Sequence, residues 1–152
     1  MKITQIREKD GVEALSVLDF NLLIEKIKTE IKTRPVTGLR QALHFVLPGE
    51  SCSFAGKLPK VIPAAVFGRV NGVKRMKVYN GIVELTVGPL AGKVEVDLVK
   101  KKAAELPQTM FAYMGASGNS VKIWTLFTRP DGTLPQTQEE AEIFQAHAYV
   151  WR

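Results

Sequence analysis

Apolar residues recur at helical spacing near the start of the chain, at Phe20, Leu23, Ile24, Ile27 and Ile31, and Asp19 stands where its carboxylate can cap that helix. Pro35 interrupts the pattern. A second helix is expected from Thr37, carrying Leu39, Leu43 and Val46 until Pro48-Gly49 stops it. Together they predict a helical hairpin at the front of the domain, with Lys32, Arg34 and Arg40 near its joint. After a polar stretch around Ser51 and Ser53 the period changes to that of strands. The runs from Val61 to Val70 and from Val73 to Val87 flank Asn71-Gly72, two residues that accept the positive φ of a tight hairpin turn.

The next segment fits two patterns. Lys93 to Leu98 alternates as a strand would, yet Val96, Val99, Ala103 and Leu106 share one helical face, and a helix over about 91–105, ended by Pro107, is expected. Strands follow over Thr109 to Gly115 and Val121 to Thr128, and Asp131-Gly132 makes a turn. Thr137 and Glu140 have capping-box spacing at the head of a last helix, whose stripe is Ile143, Phe144, His147, Val150 and Trp151. That stripe is still running at Arg152, so the chain is expected to be the front part of a longer protein. The pattern predicts an α+β domain, a mostly antiparallel sheet with helices packed against it.

Composition narrows the class. A chain of 152 residues with 45% hydrophobic and 24% charged residues fits one globular domain. No apolar run approaches the roughly 20 residues that span a bilayer. No signal-peptide core follows Met1. Cys52 is the sole cysteine, which excludes an intrachain disulfide and fits a reducing, cytoplasmic compartment. The net charge of +6 favours a polyanionic partner. Arg69, Lys74, Arg75 and Lys77 around the Asn71-Gly72 hairpin are the candidate nucleic-acid contacts, and Lys100-Lys101-Lys102 reads as a solvated face.

Catalytic constellations are scarce. His44 and His147 do not stand at metal-ligand spacing with Cys52, and His147 on an apolar stripe reads as a buried core histidine. There is no phosphate-binding Walker loop and no dinucleotide fingerprint. The turn Ser117-Gly118-Asn119-Ser120 can aim backbone N–H groups at an anion, with Lys122 supplying charge from the outgoing strand, so these five residues form the candidate phosphate site.

Arg34-Pro35-Val36-Thr37, Tyr79-Asn80-Gly81, Leu106-Pro107-Gln108-Thr109, Ser117 to Lys122 and Ala146-His147-Ala148-Tyr149 together resemble the N-terminal domain of virulence-associated protein E, of the Bacteroides type. That family is distantly similar to the archaeo-eukaryotic primase superfamily, which joins nucleotides with divalent metals held by paired acids. The resemblance places the acid pair at Thr86 and Gly88, and the superfamily's histidine at Lys122, so both carboxylates are missing. Strand parity keeps Glu84 on the same face, as a single weak candidate for catalysis. The superfamily's later acidic motif would lie beyond Arg152. The resemblance therefore implies a catalytically degenerate primase-like module that binds single-stranded DNA or a nucleotide in mobile-element replication, with no metal or other cofactor. Two alternatives stand beside it: an active primase using Mg²⁺ and completed by a missing C-terminal part, and a module that docks a helicase-like ATPase.

Overall fold

The computed structural model describes residues 1–30, 34–45 and 58–150. Ile31, Lys32, Val46, the Pro48-Gly49 stop, Ser51, Cys52, Ser53 and Trp151 lie outside the described residues. Among the described residues, twelve elements follow one another: β1 (Lys2–Lys9), β2 (Val12–Asp19), α1 (Phe20–Glu30), α2 (Arg34–Leu43), β3 (Lys60–Ile62), β4 (Ala65–Val70), β5 (Val73–Tyr79), β6 (Ile82–Val87), α3 (Lys93–Ala104), β7 (Thr109–Met114), β8 (Val121–Leu126) and α4 (Gln138–Val150). The strands form three antiparallel sheets, β2-β1-β3, β4-β5 and β6-β8-β7, which gives an α+β fold. No helix among the described residues is long and apolar enough to cross a membrane.

The helical hairpin is not at the front. A β-hairpin precedes it, turning at Asp10-Gly11 with φ of 53° and 75°. The turn chemistry matches that of Asn71-Gly72, whose φ values are 50° and 78°. Alternation is hidden in β1 because it is the middle strand of its sheet, and Ile3, Thr4, Gln5 and Ile6 are buried in succession. Thr4 is satisfied by sewing two sheets together: its hydroxyl donates to Ala65 O at 2.9 Å and accepts from Phe67 N at 2.7 Å.

Helix boundaries follow local chemistry. Asp19 Oδ1 accepts the Asn21 N–H at 2.9 Å and caps α1 as its position predicts. Helix α2 begins at Arg34 rather than Thr37, since Pro35 in a first turn lacks only an N–H that has no intrahelical partner there. The long run to Val87 breaks into β5 and β6 at Asn80-Gly81. Gly81 has φ of 68°, and a Cβ there would meet Phe127 O at 2.7 Å, so the break requires glycine.

The sheet β6-β8-β7 is covered on both faces. On one face α1 brings Phe20, Leu23 and Ile27, with Ile3 and Leu18, onto Ile82, Trp124, Phe111 and Tyr113. On the other α3 packs Val96, Val99 and Ala103 against Val121, Ile123 and Leu85, so the helical reading of this segment holds. Trp124 is fully buried, and at ~25 cal/mol per Å² its roughly 200 Å² contribute about 5 kcal/mol of transfer free energy.

Helix α4 is turned from the expected stripe. Ala141 and Phe144 face the β4-β5 sheet and Ala148 is buried, while Ile143 is 57% exposed and His147 is exposed, not a core histidine. Ala141 packs directly with Ala65 and Tyr79, where its small side chain lets the helix backbone come close, and Phe144 is the one described member of the expected stripe that packs there. The capping box is half formed. Thr137 Oγ1 accepts the Glu140 N–H at 3.2 Å, but the Glu140 carboxylate turns to Arg129 and to Gln136 N.

Candidate functional site

Glu84 and Thr86 on β6 lie beside Trp124 and Lys122 on β8, because the register pairs Glu84 with Trp124 and Thr86 with Lys122. Lys122 Nζ donates to Glu84 Oε1 and to Thr86 Oγ1, each at 2.8 Å. The second Glu84 oxygen accepts Trp124 Nε1–H at 2.8 Å. The side chains of Lys122 and Glu84 are 32% and 27% exposed, so water screens their pairing in part. Burial, with the Glu84 charge nearby, holds the Tyr113 phenol well above its usual range. An ammonium thus sits between the only acid on this face of β6 and the threonine two residues on. At Gly88 a Cβ would come within 2.9 Å of Ser120 Cβ and 3.0 Å of Asn119 O, so no side chain fits there.

A cleft of about 440 Å³ opens beside β7. One wall is Leu23, Ile27 and Lys28 of α1 with Val36 and Arg40 of α2; the opposite side is β7 itself, and Leu58, Pro59, Val61 and Lys100 complete it. Lys122 also lines it, so four basic residues border a space lined otherwise by apolar and aromatic groups, and Lys100 Nζ stands 3.8 Å from Asp97 Oδ1. No Asp or Glu side chain lines it among the described residues. A volume in the range of small-ligand sites, with basic and aromatic residues both in its lining, suits an anion that carries a flat apolar body.

Gly115 and Ala116, which lead into the Ser117 to Ser120 turn, line this cleft, whereas the four turn residues themselves do not. Arg40 ties the two together: its Nε donates to Ala116 O at 3.1 Å, and a Cβ on Gly118 would lie 3.2 Å from that nitrogen. Within the turn, Gly115 N–H and Gly118 N–H bond to Ser120 O and Gly115 O at 2.8 and 3.0 Å. Ser117 Oγ donates to Asn119 Oδ1 at 2.6 Å. Sequence inspection finds the turn and Lys122; it notes Arg40 only as a residue near the helical joint, reads Lys100 as part of a solvated face and passes over Lys28, since all three stand on elements far away in the chain and carry no local motif.

The basic hairpin does not present one surface. Opposed residues share a face, so Arg69 and Lys74 lie with Phe67 and Met76, and Arg75 lies with Gly68 on the reverse side. The Arg69 guanidinium is bonded to Gly72 O and Glu13 O at 2.9 and 3.0 Å, and Lys74 Nζ stands 4.8 Å from the Phe67 ring centroid. The Lys77 stem runs along the side-chain-free strip left by Gly68. A register shift between Val66 and Phe67 separates Lys77 from the alternation that sequence parity assumes.

His44 is exposed at the end of α2, and no three of His, Cys, Asp and Glu converge among the described residues. No curated protein and no solved structure matches the chain. A family model, BT4734-like, N-terminal domain, matches residues 53–151, which runs from before β3 through α4 and contains the turn, β6, β7 and β8. With well over half of its length matched, the chain belongs to the BT4734-like, N-terminal domain family.

Proposed function

We propose that this domain is a primase-like module of the virulence-associated protein E type that binds single-stranded DNA or a nucleotide, without transferring it, during mobile-element replication. The observation that carries the proposal is the cleft: Lys28, Arg40, Lys100 and Lys122 line it together with Phe111 and Tyr113, and no acid lines it among the described residues, although Lys100 and Lys122 are paired with Asp97 and Glu84 outside it. Such a field concentrates polyanions, and the aromatic walls suit bases. The Ser117 to Lys122 turn is then the rim that meets a phosphate, with Arg40 supplying the charge that Lys122 shares with Glu84. Arg75 and Lys77 remain exposed for a longer strand to reach.

The absence of transfer rests on charge. Two-metal chemistry needs hard anionic ligands converging from fixed strands. Here both Glu84 oxygens already accept hydrogen bonds, Thr86 offers a neutral hydroxyl, and Gly88 has no room for an acid. The test is fluorescence anisotropy of a labelled single strand across a salt series. Contacts from Lys28, Arg40 and Lys100 give a log–log slope near −2, at roughly −0.7 per phosphate. Arg40→Ala weakens binding about tenfold, the worth of one charge-assisted hydrogen bond. No binding at low salt with ~100 μM protein, as judged on a micromolar scale of non-specific affinity, rejects the proposal.

A further inference from the structure

Arg40 meets the loop between β7 and β8 in two ways. Its Nε–H donates to Ala116 O at 3.1 Å, a bond between residues 76 apart in the chain. Its Nε, Cδ and Cζ would lie 3.2, 3.5 and 3.8 Å from a Cβ on Gly118, so the root of the guanidinium lies across the bare Cα of that residue. Gly118 also has φ of 85°, a conformation that side chains disfavour.

The loop holds its own shape. Gly118 N–H bonds to Gly115 O at 3.0 Å, Gly115 N–H to Ser120 O at 2.8 Å, and Asn119 O accepts Leu90 N–H at 2.7 Å. Ser117 Oγ donates to Asn119 Oδ1 at 2.6 Å. Polar groups engaged with one another in this way make a firm shelf for a side chain laid upon it. Arg40 and Ala116 line the cleft, and Gly118 stands behind them.

We infer that Gly118 is a positioning residue for Arg40, and that Arg40 holds a phosphate of the bound strand or nucleotide through two oxygens at once; the inference rests on the binding proposal above. A guanidinium is planar and carries five N–H groups. The Ala116 bond takes the Nε–H and so sets the plane of the group. The Nη1 and Nη2 hydrogens then form an end-on fork whose spacing matches two oxygens on one phosphorus. A lysine would supply the charge without the fork. Gly118 acts through what it leaves out: a methyl group there would displace Nε, and the fork with it, by a few tenths of an ångström.

The experiment is fluorescence anisotropy of a labelled oligothymidylate, over a salt series, with single variants and one double variant. Arg40→Ala should weaken binding about tenfold and make the log–log slope shallower by roughly 0.7. Arg40→Lys should keep the slope and still lose about fivefold. Gly118→Ala should lose about fivefold at an unchanged slope, because no charge is removed, and should cost nothing further in the Arg40→Ala background. Gly132→Ala is the control for backbone strain: φ there is 78° and a Cβ would meet nothing within 4 Å, so binding should equal that of the unaltered protein. Additive losses in the double variant, an equal loss in Gly132→Ala, or Arg40→Lys binding as tightly as arginine would overturn the inference while the binding proposal stands. If circular dichroism shows that Gly118→Ala does not fold, the lysine variant decides. An unaltered protein that binds no strand at low salt overturns both.

Discussion

Replacing Glu84 by alanine tests the side-chain network at the cleft margin, and its cost can be worked from the contacts. Trp124 is 0% exposed and its Nε1–H has one acceptor, Glu84 Oε2 at 2.8 Å. Orphaning a buried donor costs about 1–3 kcal/mol. The Lys122 ion pair, one-third exposed at each end, adds about 0.5–1 kcal/mol after screening. The sum is about 3 kcal/mol, and at roughly 2–4 °C per kcal/mol for a chain of this size the melting temperature falls by about 6–12 °C. Glu84→Gln keeps one oxygen for the indole but loses the charge and the acceptor that Lys122 uses, so it falls by about 2–4 °C. Thermal unfolding followed by circular dichroism reads both. In a Trp124→Phe background the alanine substitution should cost about 1–2 kcal/mol less, because the donor has gone. Glutamine and alanine variants that melt alike, or a cycle without coupling, would refute this account of Glu84. Either variant also frees the Lys122 ammonium, so affinity for single-stranded DNA at low salt should rise while stability falls.

Thr4→Val keeps shape but leaves Ala65 O and Phe67 N without their shared hydroxyl, and denaturant unfolding should show a loss of about 2–3 kcal/mol. A fragment beginning at residue 53 loses Ile3, Leu18 and Leu23 from the core around Trp124, and calorimetry should find no cooperative transition. Burial, with Tyr149 nearby, pushes the Tyr79 phenol up to about 12. A raised folded-state value means the folded protein holds the proton longer, so stability is full below about pH 10 and falls between about pH 10 and 12, by at most on the order of 2 kcal/mol. Urea titrations at several pH values should show a shallower fall in Tyr79→Phe. Labelled-nucleotide incorporation with Mg²⁺ or Mn²⁺, on primed and unprimed templates, should be absent for this chain; incorporation lost in Glu84→Ala would favour an active enzyme instead.

Much of the fold was legible because the signals were local. Asn71-Gly72, the Asp19 cap, and the Val96, Val99 and Ala103 face each depend on residues within one or two turns of chain. Where tertiary packing decides, sequence periodicity misleads. Strand β1 carries Thr4 and Gln5 in its buried interior, which erases alternation although its Asp10-Gly11 turn is plain. Helix α4 buries alanines because distance to the sheet, not side-chain hydrophobicity, selects its inner face. The candidate site divides the same way. Its turn and Lys122 form a contiguous motif, but the cleft is assembled from α1, α2, α3 and the edge of β7. Nor could parity show that Arg69 is bound to backbone carbonyls, since its partner Glu13 comes from the unforeseen first hairpin.

The most direct test of the cleft as the binding site is a chemical-shift map of the ¹⁵N-labelled domain titrated with a short single-stranded oligonucleotide. The proposal predicts shifts centred on Lys28, Arg40, Lys100 and the 112–118 backbone, fading as salt rises. A quiet cleft, with shifts confined to Lys74, Arg75 and Lys77 or no shifts at all, would contradict it.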